Sequence, residues 1–220
     1  MQKITLECVT AILCSLLKKN FNNRRLKKTI YTAVLFLFLS PLQAQQPALK
    51  SITIGDTVPD ITITHVYNYH DSTIKLSDLK GKLVILDFWA TWCSGCVQEL
   101  PKLDSLQKEF ANKMQILLIN QEGSKTKADD ETRIKAFFSK WKEKYNRLIG
   151  LPSTLQINDS LVNLFPHMFI PHYVWISGNR KVIAITSPEE INRKNIRAIL
   201  NGSPTKMPLK SDRFPSHPQN

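Results

Sequence analysis

A strand-like apolar run that leads directly into two cysteines, and then into a helical pattern, constrains the fold of this chain most strongly. Residues 82–90 are almost continuously apolar, as expected of a strand covered on both faces. From Cys96 onward, apolar residues recur every three or four positions, which predicts a helix that begins at the cysteines. The apolar run 114–120 then predicts a second buried strand, parallel to the first because a helix separates them.

Shorter patterns on either side of this unit predict the remaining elements. Alternation in 61–64 and 73–76 indicates the two arms of a hairpin ahead of the core. Later elements are a helix opened by Asp129 and Asp130, a short helix near 160–165, a hairpin over 171–185 turning at Gly178, and a last helix from Pro188 to Asn201. The chain is therefore predicted to be α/β.

The two cysteines, Cys93 and Cys96, are predicted to form a reactive pair. Cys93 falls at a helix N-terminus, where unpaired amides and the helix dipole favour a thiolate. Such a site lowers the pKa of a cysteine below its free value of about 8.5. Cys96 lies one turn inside, shielded, yet near enough to break a mixed disulfide made by Cys93. The spacing thus predicts an attacking and a resolving thiol.

Three other uses of a cysteine pair are open to test. Attachment of a c-type haem requires His after the second cysteine, but Val97 occupies that position. A structural zinc site requires two more Cys or His at suitable spacing. His167 and His172 could complete a metal site in space, as in a copper-delivery protein, although no spacing rule supports it. We expect no metal and no cofactor.

The N-terminal segment has the order of charge, apolar run and small residue that is typical of a secretory signal peptide. A basic cluster at 24–28 precedes the apolar run 30–39 and then Ala44. The run is far shorter than the roughly 20 apolar residues of a transmembrane helix, although an uncleaved signal anchor is the alternative. We expect 1–44 to be a signal peptide with a long N-terminal extension, cleaved after Ala44.

Charge and cysteine content exclude two classes of protein. The formal charge is +12, but half of it lies in residues 1–44, and the remainder contains no basic block, so nucleic acid is not an expected partner. Without that segment only Cys93 and Cys96 remain, too few for a disulfide-stapled secreted domain. The loop they would close is so short that the value of the pair must be chemical.

The motif around the cysteines resembles the thioredoxin superfamily, and within it the exported TlpA/ResA-like disulfide reductases. The resemblance rests on Asp87-Phe88-Trp89-Ala90-Thr91-Trp92-Cys93-Ser94-Gly95-Cys96, on Glu99-Leu100-Pro101, and on Ile170-Pro171. It implies a thioredoxin-like three-layer sandwich, with a mixed central sheet, helices on both faces and an N-terminal β-hairpin. The expected organisation is a linker at 45–54, the thioredoxin-like domain at 55–202 and a Pro-rich tail at 203–220.

The resemblance also implies roles for individual residues. Cys93 matches the nucleophile and Cys96 the resolving thiol of the family. Asp87 matches a buried acid behind the second cysteine, which we expect to have a raised pKa and to act as its general base. Glu99 matches an acidic residue held near the thiols.

Three further positions are expected to contact substrate. Pro171 matches the cis-proline that faces the dithiol in this family, and Ile170 before it would offer its backbone to an extended substrate. Trp92 is expected to shield the site by packing and, secondarily, to contact substrate.

The resemblance implies a thiol-disulfide oxidoreductase in the periplasm or cell envelope of a bacterium. Its expected partners are protein disulfides and an upstream dithiol donor, with membrane contact only through an uncleaved signal segment, and it is expected to be a monomer. The family's oxidising members share the fold, and Ser94-Gly95 lacks the Pro often found before the second cysteine. A thiol oxidase or isomerase therefore remains an alternative, as does a metal-carrying chaperone.

Overall fold

The computed structural model describes residues 51–120, 129–155, 159–203 and 206–210. The predicted signal segment, most of the predicted linker and the end of the predicted tail lie outside the described residues.

Two parallel strands form the centre of the sheet. They are β4 (Leu83–Trp89) and β5 (Met114–Asn120), which pair along their full length, and every residue of both strands is buried. Continuous apolar sequence is what burial on both faces requires, so the two core strands are confirmed where the sequence predicts them.

Six further strands complete the sheets. They are β1 (Thr62–Ile63), β2 (Val66–Tyr67), β3 (Ile74–Lys75), β6 (Ser153–Thr154), β7 (His172–Ile176) and β8 (Val182–Thr186). The main sheet has the order β2-β6-β5-β4-β7-β8. The β4–β5 and β5–β6 pairs are parallel and the others antiparallel, so the sheet is mixed, as predicted.

The N-terminal hairpin is confirmed with one difference. β1 and β3 pair antiparallel in a separate two-stranded sheet. The connection between them is not a simple turn, because it contains β2, which crosses to pair with β6 at the edge of the main sheet. Val66 of β2 is buried there, which explains why this short segment joins the larger sheet.

The described part of the chain contains four α-helices. They are α1 (Ser94–Glu109), α2 (Glu131–Tyr145), α3 (Asp159–Leu164) and α4 (Arg193–Leu200). The predicted start of the last helix is wrong: Pro188–Glu190 forms a separate 3-10 turn, and α4 begins after Asn192, whose side chain accepts a hydrogen bond from the Asn195 N–H. None of the helices in these described ranges is both long and apolar enough to cross a bilayer.

Alternate residues of β4 face opposite layers and define two cores. Leu83, Ile85 and Trp89 pack in the first core, and Val84, Leu86 and Phe88 in the second. The first, the dithiol-side core, also contains Cys93, Cys96 and side chains of α1, α2 and α4. The second, the opposite core, contains side chains of α3, β1 and β3. The three layers predicted from the resemblance are confirmed.

The predicted boundaries of the linker and tail need correction where the chain is described. Ile52, placed in the linker, donates its N–H to the Leu164 carbonyl at 2.9 Å and packs against the opposite core. In the predicted tail, the Lys210 N–H donates to the Ile185 carbonyl on β8 at 3.0 Å. Backbone pairing therefore extends the folded body beyond 55–202 at both ends.

Candidate active site

The dithiol lies at the junction of β4 and α1. Cys93 is the N-cap of α1, and its Sγ accepts a hydrogen bond from the Cys96 N–H at 3.2 Å. Cys93 and Cys96 are joined in a disulfide, with their Cα atoms 5.3 Å apart. After reduction, the same amide and the positive end of the helix would stabilise a thiolate on Cys93. The predicted placement of the pair at the start of a helix is confirmed.

The two cysteines differ in exposure. Cys93 is 8% exposed and Cys96 is completely buried. A disulfide partner in solution can therefore approach Cys93 but not Cys96. The shielding of Cys96, expected from its position one turn inside the helix, is confirmed.

Asp87 is buried on the face of β4 that points toward the dithiol-side core. It alternates with Ile85 and Trp89, which belong to the same core as Cys96. Asp87 is 0% exposed, and within the described ranges neither carboxylate oxygen has a hydrogen-bond partner. Burial raises the pKa of Asp87 well above its ordinary value of 3.8, and the negative charge of Glu99 raises it further. The expected burial and raised pKa are confirmed.

Tyr173 lies beside Asp87, on the neighbouring strand of the sheet. The two residues are register partners in the antiparallel β4–β7 pair, so their side chains point to the same face. Tyr173 is buried, and its hydroxyl has no hydrogen-bond partner in the described part of the chain. Burial raises the pKa of Tyr173 well above 10.0, and so do the charges of Asp87 and Glu99. Sequence reasoning missed this residue. The signal that could have found it is its position two residues after Pro171, at the start of the strand that follows the loop facing the dithiol.

Glu99 lies one turn after Cys96 on α1 and belongs to the same electrostatic group. Its carboxylate forms an ion pair with Lys102, and its side chain is 25% exposed. Its negative charge raises the pKa of both Asp87 and Tyr173, so a partly exposed residue of α1 influences the ionisation of two buried groups.

The loop before β7 faces the dithiol, as expected. The Ile170–Pro171 peptide bond is cis. A Cβ placed on Gly95, between the cysteines, would lie 3.7 Å from the Cδ of Pro171. Trp92, which was expected to shield the site by packing, is 43% exposed, whereas Trp89 is fully buried. Phe169, next to Ile170, is also exposed, at 64%.

A polar network that the sequence did not indicate holds the loop before Trp92. Asp129 accepts hydrogen bonds from the Thr91 N–H and hydroxyl, both at 2.6 Å, and from the Asn120 side-chain amide at 2.9 Å. Asp129 was expected to open α2, but Asp130 alone caps this helix, by accepting from the Arg133 N–H. The network fixes the ends of β4 and β5 beside the dithiol.

The two histidines considered for a metal site lie on the other side of the sheet from Asp87. The rings of His167 and His172 stack at 4.1 Å between centroids, and both contact Phe88 of the opposite core. Within the described ranges, no group of three or more His, Cys, Asp or Glu is placed to hold a metal ion.

The comparisons with known proteins agree with this geometry. The profile of the AhpC/TSA family matches residues 54–167. The thiol-disulfide oxidoreductase ResA of Oceanobacillus iheyensis is 34% identical over 102 residues, which are 46% of this chain and 52% of that protein. The match thus spans about half the length of this curated relative.

Two solved structures share the fold. A DsbE thiol:disulfide interchange protein from Chlorobium tepidum aligns with a TM-score of 0.53 at 24% identity, over 68% of this chain and 99% of that one. The exposed lipoprotein thioredoxin of Streptococcus pneumoniae aligns with a TM-score of 0.50 at 26% identity, over 66% of this chain and 99% of that one. With a thioredoxin-like fold, a cysteine pair at the start of α1 and a family match over just over half of its length, this chain belongs to the AhpC/TSA family of the thioredoxin superfamily.

Proposed function

We propose that this protein is a thiol-disulfide oxidoreductase that reduces disulfides of partner proteins through Cys93 and Cys96. The observation that carries the proposal is the Cys93–Cys96 disulfide at the N-terminus of α1, with Cys93 8% exposed and Cys96 completely buried. The similarity to a relative named thiol-disulfide oxidoreductase supports the same reaction.

In the first step, the Cys93 thiolate of the reduced protein attacks one sulfur of the partner's disulfide. A mixed disulfide forms between Cys93 and the partner, and the partner's other sulfur leaves as a thiolate that takes a proton from water. The Cys96 N–H that contacts the Cys93 sulfur stabilises the thiolate before the attack.

In the second step, Cys96 gives its proton to Asp87 and attacks the Cys93 sulfur. The partner sulfur that was bonded to Cys93 leaves as a thiolate, and the Cys93–Cys96 disulfide is restored. The partner has gained two electrons and two protons, one from water and one that Asp87 returns through solvent, so Asp87 is again ionised. Its raised pKa brings the acidity of the Asp87 carboxyl closer to the acidity of a thiol. A proton therefore moves between the two groups with a smaller energy difference in either direction.

The substrate is proposed to bind along the loop that faces the dithiol. Ile170 would pair its backbone with an extended segment of the partner, and Pro171 would press that segment toward Cys93. Trp92 and Phe169 are exposed apolar groups that fit a partially unfolded protein better than a small polar disulfide. An upstream dithiol protein would return the enzyme to its reduced form by the reverse exchange.

We further propose that the protein is exported and acts in the cell envelope. This rests on the basic cluster, the ten-residue apolar run and Ala44 of the sequence. The intact mass of the exported protein should correspond to a chain that begins at Gln45. A full-length chain retained in the membrane would contradict cleavage and indicate a signal anchor.

Insulin reduction tests the reaction and the assignment of the two thiols. Cys93→Ser should abolish insulin reduction, whereas Cys96→Ser should still attack and accumulate a mixed disulfide that non-reducing electrophoresis detects. Ser94→Ala, between the two cysteines, is the matched control and should retain activity.

Alkylation of the reduced protein tests the same assignment independently. Iodoacetamide should modify Cys93 faster than Cys96 near neutral pH, because Cys93 keeps 8% exposure and lies at the helix N-terminus, whereas Cys96 is completely buried. Faster modification of Cys96 would reverse the assignment. A wild-type protein that reduces neither insulin nor a small disulfide would refute the proposed function.

A further inference from the structure

The segment 206–210, which the sequence places in a featureless tail, is docked on the edge of the main sheet. The Lys210 N–H donates to the Ile185 carbonyl at 3.0 Å, and β8, which contains Ile185, is the last strand of the sheet. Met207 packs against the dithiol-side core. Two independent contacts, one polar and one apolar, therefore hold this segment against the folded domain.

The side chain of Lys210 reaches from this edge to the loop that faces the dithiol. Its Nζ donates a hydrogen bond to the Phe169 carbonyl at 2.5 Å and another to the Pro171 carbonyl at 2.9 Å. These two carbonyls lie on either side of Ile170. An ammonium has three donors and no acceptor, so it is well suited to hold two carbonyls together.

The contact with Phe169 determines where the Ile170 amide points. The Phe169 C=O and the Ile170 N–H belong to one planar trans peptide and point in opposite directions. With the carbonyl bound to Lys210, the Ile170 N–H is directed away from the tail. Within the described ranges, no protein acceptor bonds to this N–H.

The positively charged ammonium of Lys210, bound to the Phe169 carbonyl, also strengthens the N–H donor on the other side of the same peptide group. Hydrogen bonds that share a peptide group polarise one another, and charge-assisted bonds polarise more strongly than neutral ones. The Ile170 N–H is therefore both oriented and made a better donor before any substrate arrives.

We propose that Lys210 is a positioning residue that presents the Ile170 N–H to the backbone of an extended polypeptide substrate. The proposal rests on the proposed function and deepens it, since it assigns a role in substrate selection to a residue outside the expected domain. Preorganisation of this kind favours polypeptide disulfides over small ones, because only a polypeptide offers a backbone carbonyl to Ile170.

Steady-state kinetics with two disulfides of different chemistry test this role. Lys210→Met should raise the KM for insulin on the order of tenfold, as expected for the loss of about one well-placed hydrogen bond. The rate with bis(2-hydroxyethyl) disulfide should change less than about twofold, which is less than the loss of one hydrogen bond would cause. This small disulfide has no peptide backbone that could bind the Ile170 N–H. Lys210→Arg, which keeps the charge and the donors, should restore most of the insulin KM.

Lys206→Met is the matched control, since Lys206 is an exposed lysine of the same segment. It should leave both substrates unaffected. An unchanged insulin KM in Lys210→Met would overturn the proposal while leaving the oxidoreductase activity intact. An equal loss with both disulfides in Lys210→Met would also overturn it, because Lys210 would then support only the folded state.

Discussion

Asp87 and Asp104 are both buried aspartates, and their surroundings give them opposite acidities. Asp104, on α1, is 1% exposed and accepts hydrogen bonds from Lys108 at 2.8 Å, from Gly150 N–H at 3.0 Å and from Arg147 at 3.2 Å. Burial opposes its ionisation, but these three bonds outweigh burial and lower the pKa of Asp104. Asp87, without such partners, has a pKa raised well above its ordinary value.

The difference shows that partners, and not burial itself, decide which carboxylate can exchange a proton. Asp104 stays ionised and connects α1 to the segment that contains Arg147 and Gly150, which is a structural role. Asp87 is free to gain and lose a proton beside the dithiol. The same substitution, Asp to Asn, which replaces one carboxylate oxygen with an NH2 group, should therefore have different consequences at the two positions.

The largest expected effect is on catalysis at Asp87. Asp87→Asn removes the proposed base, so resolution of the mixed disulfide should slow by a factor on the order of 10²–10⁴. Stopped-flow reduction of a small disulfide between pH 5 and 9 measures this step. The variant should fold at least as stably as the wild type, because it removes an uncompensated buried acid.

Asp104→Asn is the matched control for that experiment and should keep near-normal resolution rates. If both variants slow resolution equally, general disturbance of the core accounts for the effect. An unchanged pH profile in Asp87→Asn would reduce Asp87 to a packing residue.

A second expected effect is on the stability of Asp104→Asn. The amide cannot pair with two cations, so the free energy of unfolding should fall by about 1–3 kcal/mol. Urea denaturation of the oxidised protein at neutral pH measures it. Asp87→Asn, measured in parallel, should not lose stability, and a loss there larger than that of Asp104→Asn would reverse the comparison.

The two aspartates should also give pH dependences of opposite sign. The lowered pKa of Asp104 means that its stabilising contribution is present above about pH 4 and is lost as pH falls through the folded-state pKa. The raised pKa of Asp87 means that its contribution is complete below about pH 4 and is lost as pH rises through the folded-state pKa.

Urea denaturation from pH 3 to 8, with each Asn variant subtracted from the wild type, isolates these contributions. Each curve can change by at most about 1.4 kcal/mol per pH unit for a single proton. Two curves with the same slope would show that the two carboxyls do not differ as described.

Glu99→Gln should have a smaller effect on the same group. Removing its negative charge should lower the pKa of Asp87. It should also lessen the repulsion of a nearby Cys93 thiolate, so the acid limb of the resolution profile and the alkylation profile of Cys93 should move to lower pH. The rate at neutral pH should change by less than about tenfold, since burial remains the main cause of the Asp87 shift. Unmoved profiles would leave Glu99 as a partner of Lys102 only.

The smallest expected effect belongs to an exposed partner of Asp104. The Lys108 side chain is 66% exposed, so its ion pair is screened by water, and Lys108→Met should lower the free energy of unfolding by about 0.5 kcal/mol or less. Thermal or urea denaturation at low and high salt checks this. A loss as large as that of Asp104→Asn would mean that Lys108 alone keeps Asp104 ionised.

The sequence indicated Asp87 but not Asp104, for a physical reason. An acid within a continuous apolar strand pattern is conspicuous, because burial on both faces follows from the pattern itself. Asp104 lies on an amphipathic helix, where an acid four residues before a lysine usually belongs to the exposed face. Its burial depends on Arg147 and Gly150, which are brought there by tertiary structure.

The same distinction explains the rest of the fold and site. The strands β4 and β5, the start of α1 and the Cys93–Cys96 pair follow from local patterns, and the sequence predicts all of them. The crossing of β2 to the main sheet depends on its pairing with β6, which lies far along the chain. The start of α4 depends on the local cap at Asn192, which the stronger helix-start pattern at Pro188 obscured. Lys210 was missed because nothing near it in sequence indicates what its side chain meets.

The hydrogen bond between Asn120 and Asp129 offers an engineering position next to the dithiol. The chain leaves β5 at Asn120 and returns at Asp129, and the two residues are joined at 2.9 Å, so the ends of the intervening eight residues are clamped together. Lengthening a segment whose ends are already fixed adds only slowly to the entropy of closing it. A peptide grafted between them would be anchored at Asp129, which also binds Thr91 two residues before Cys93, and different grafts could address the same redox chemistry to different proteins.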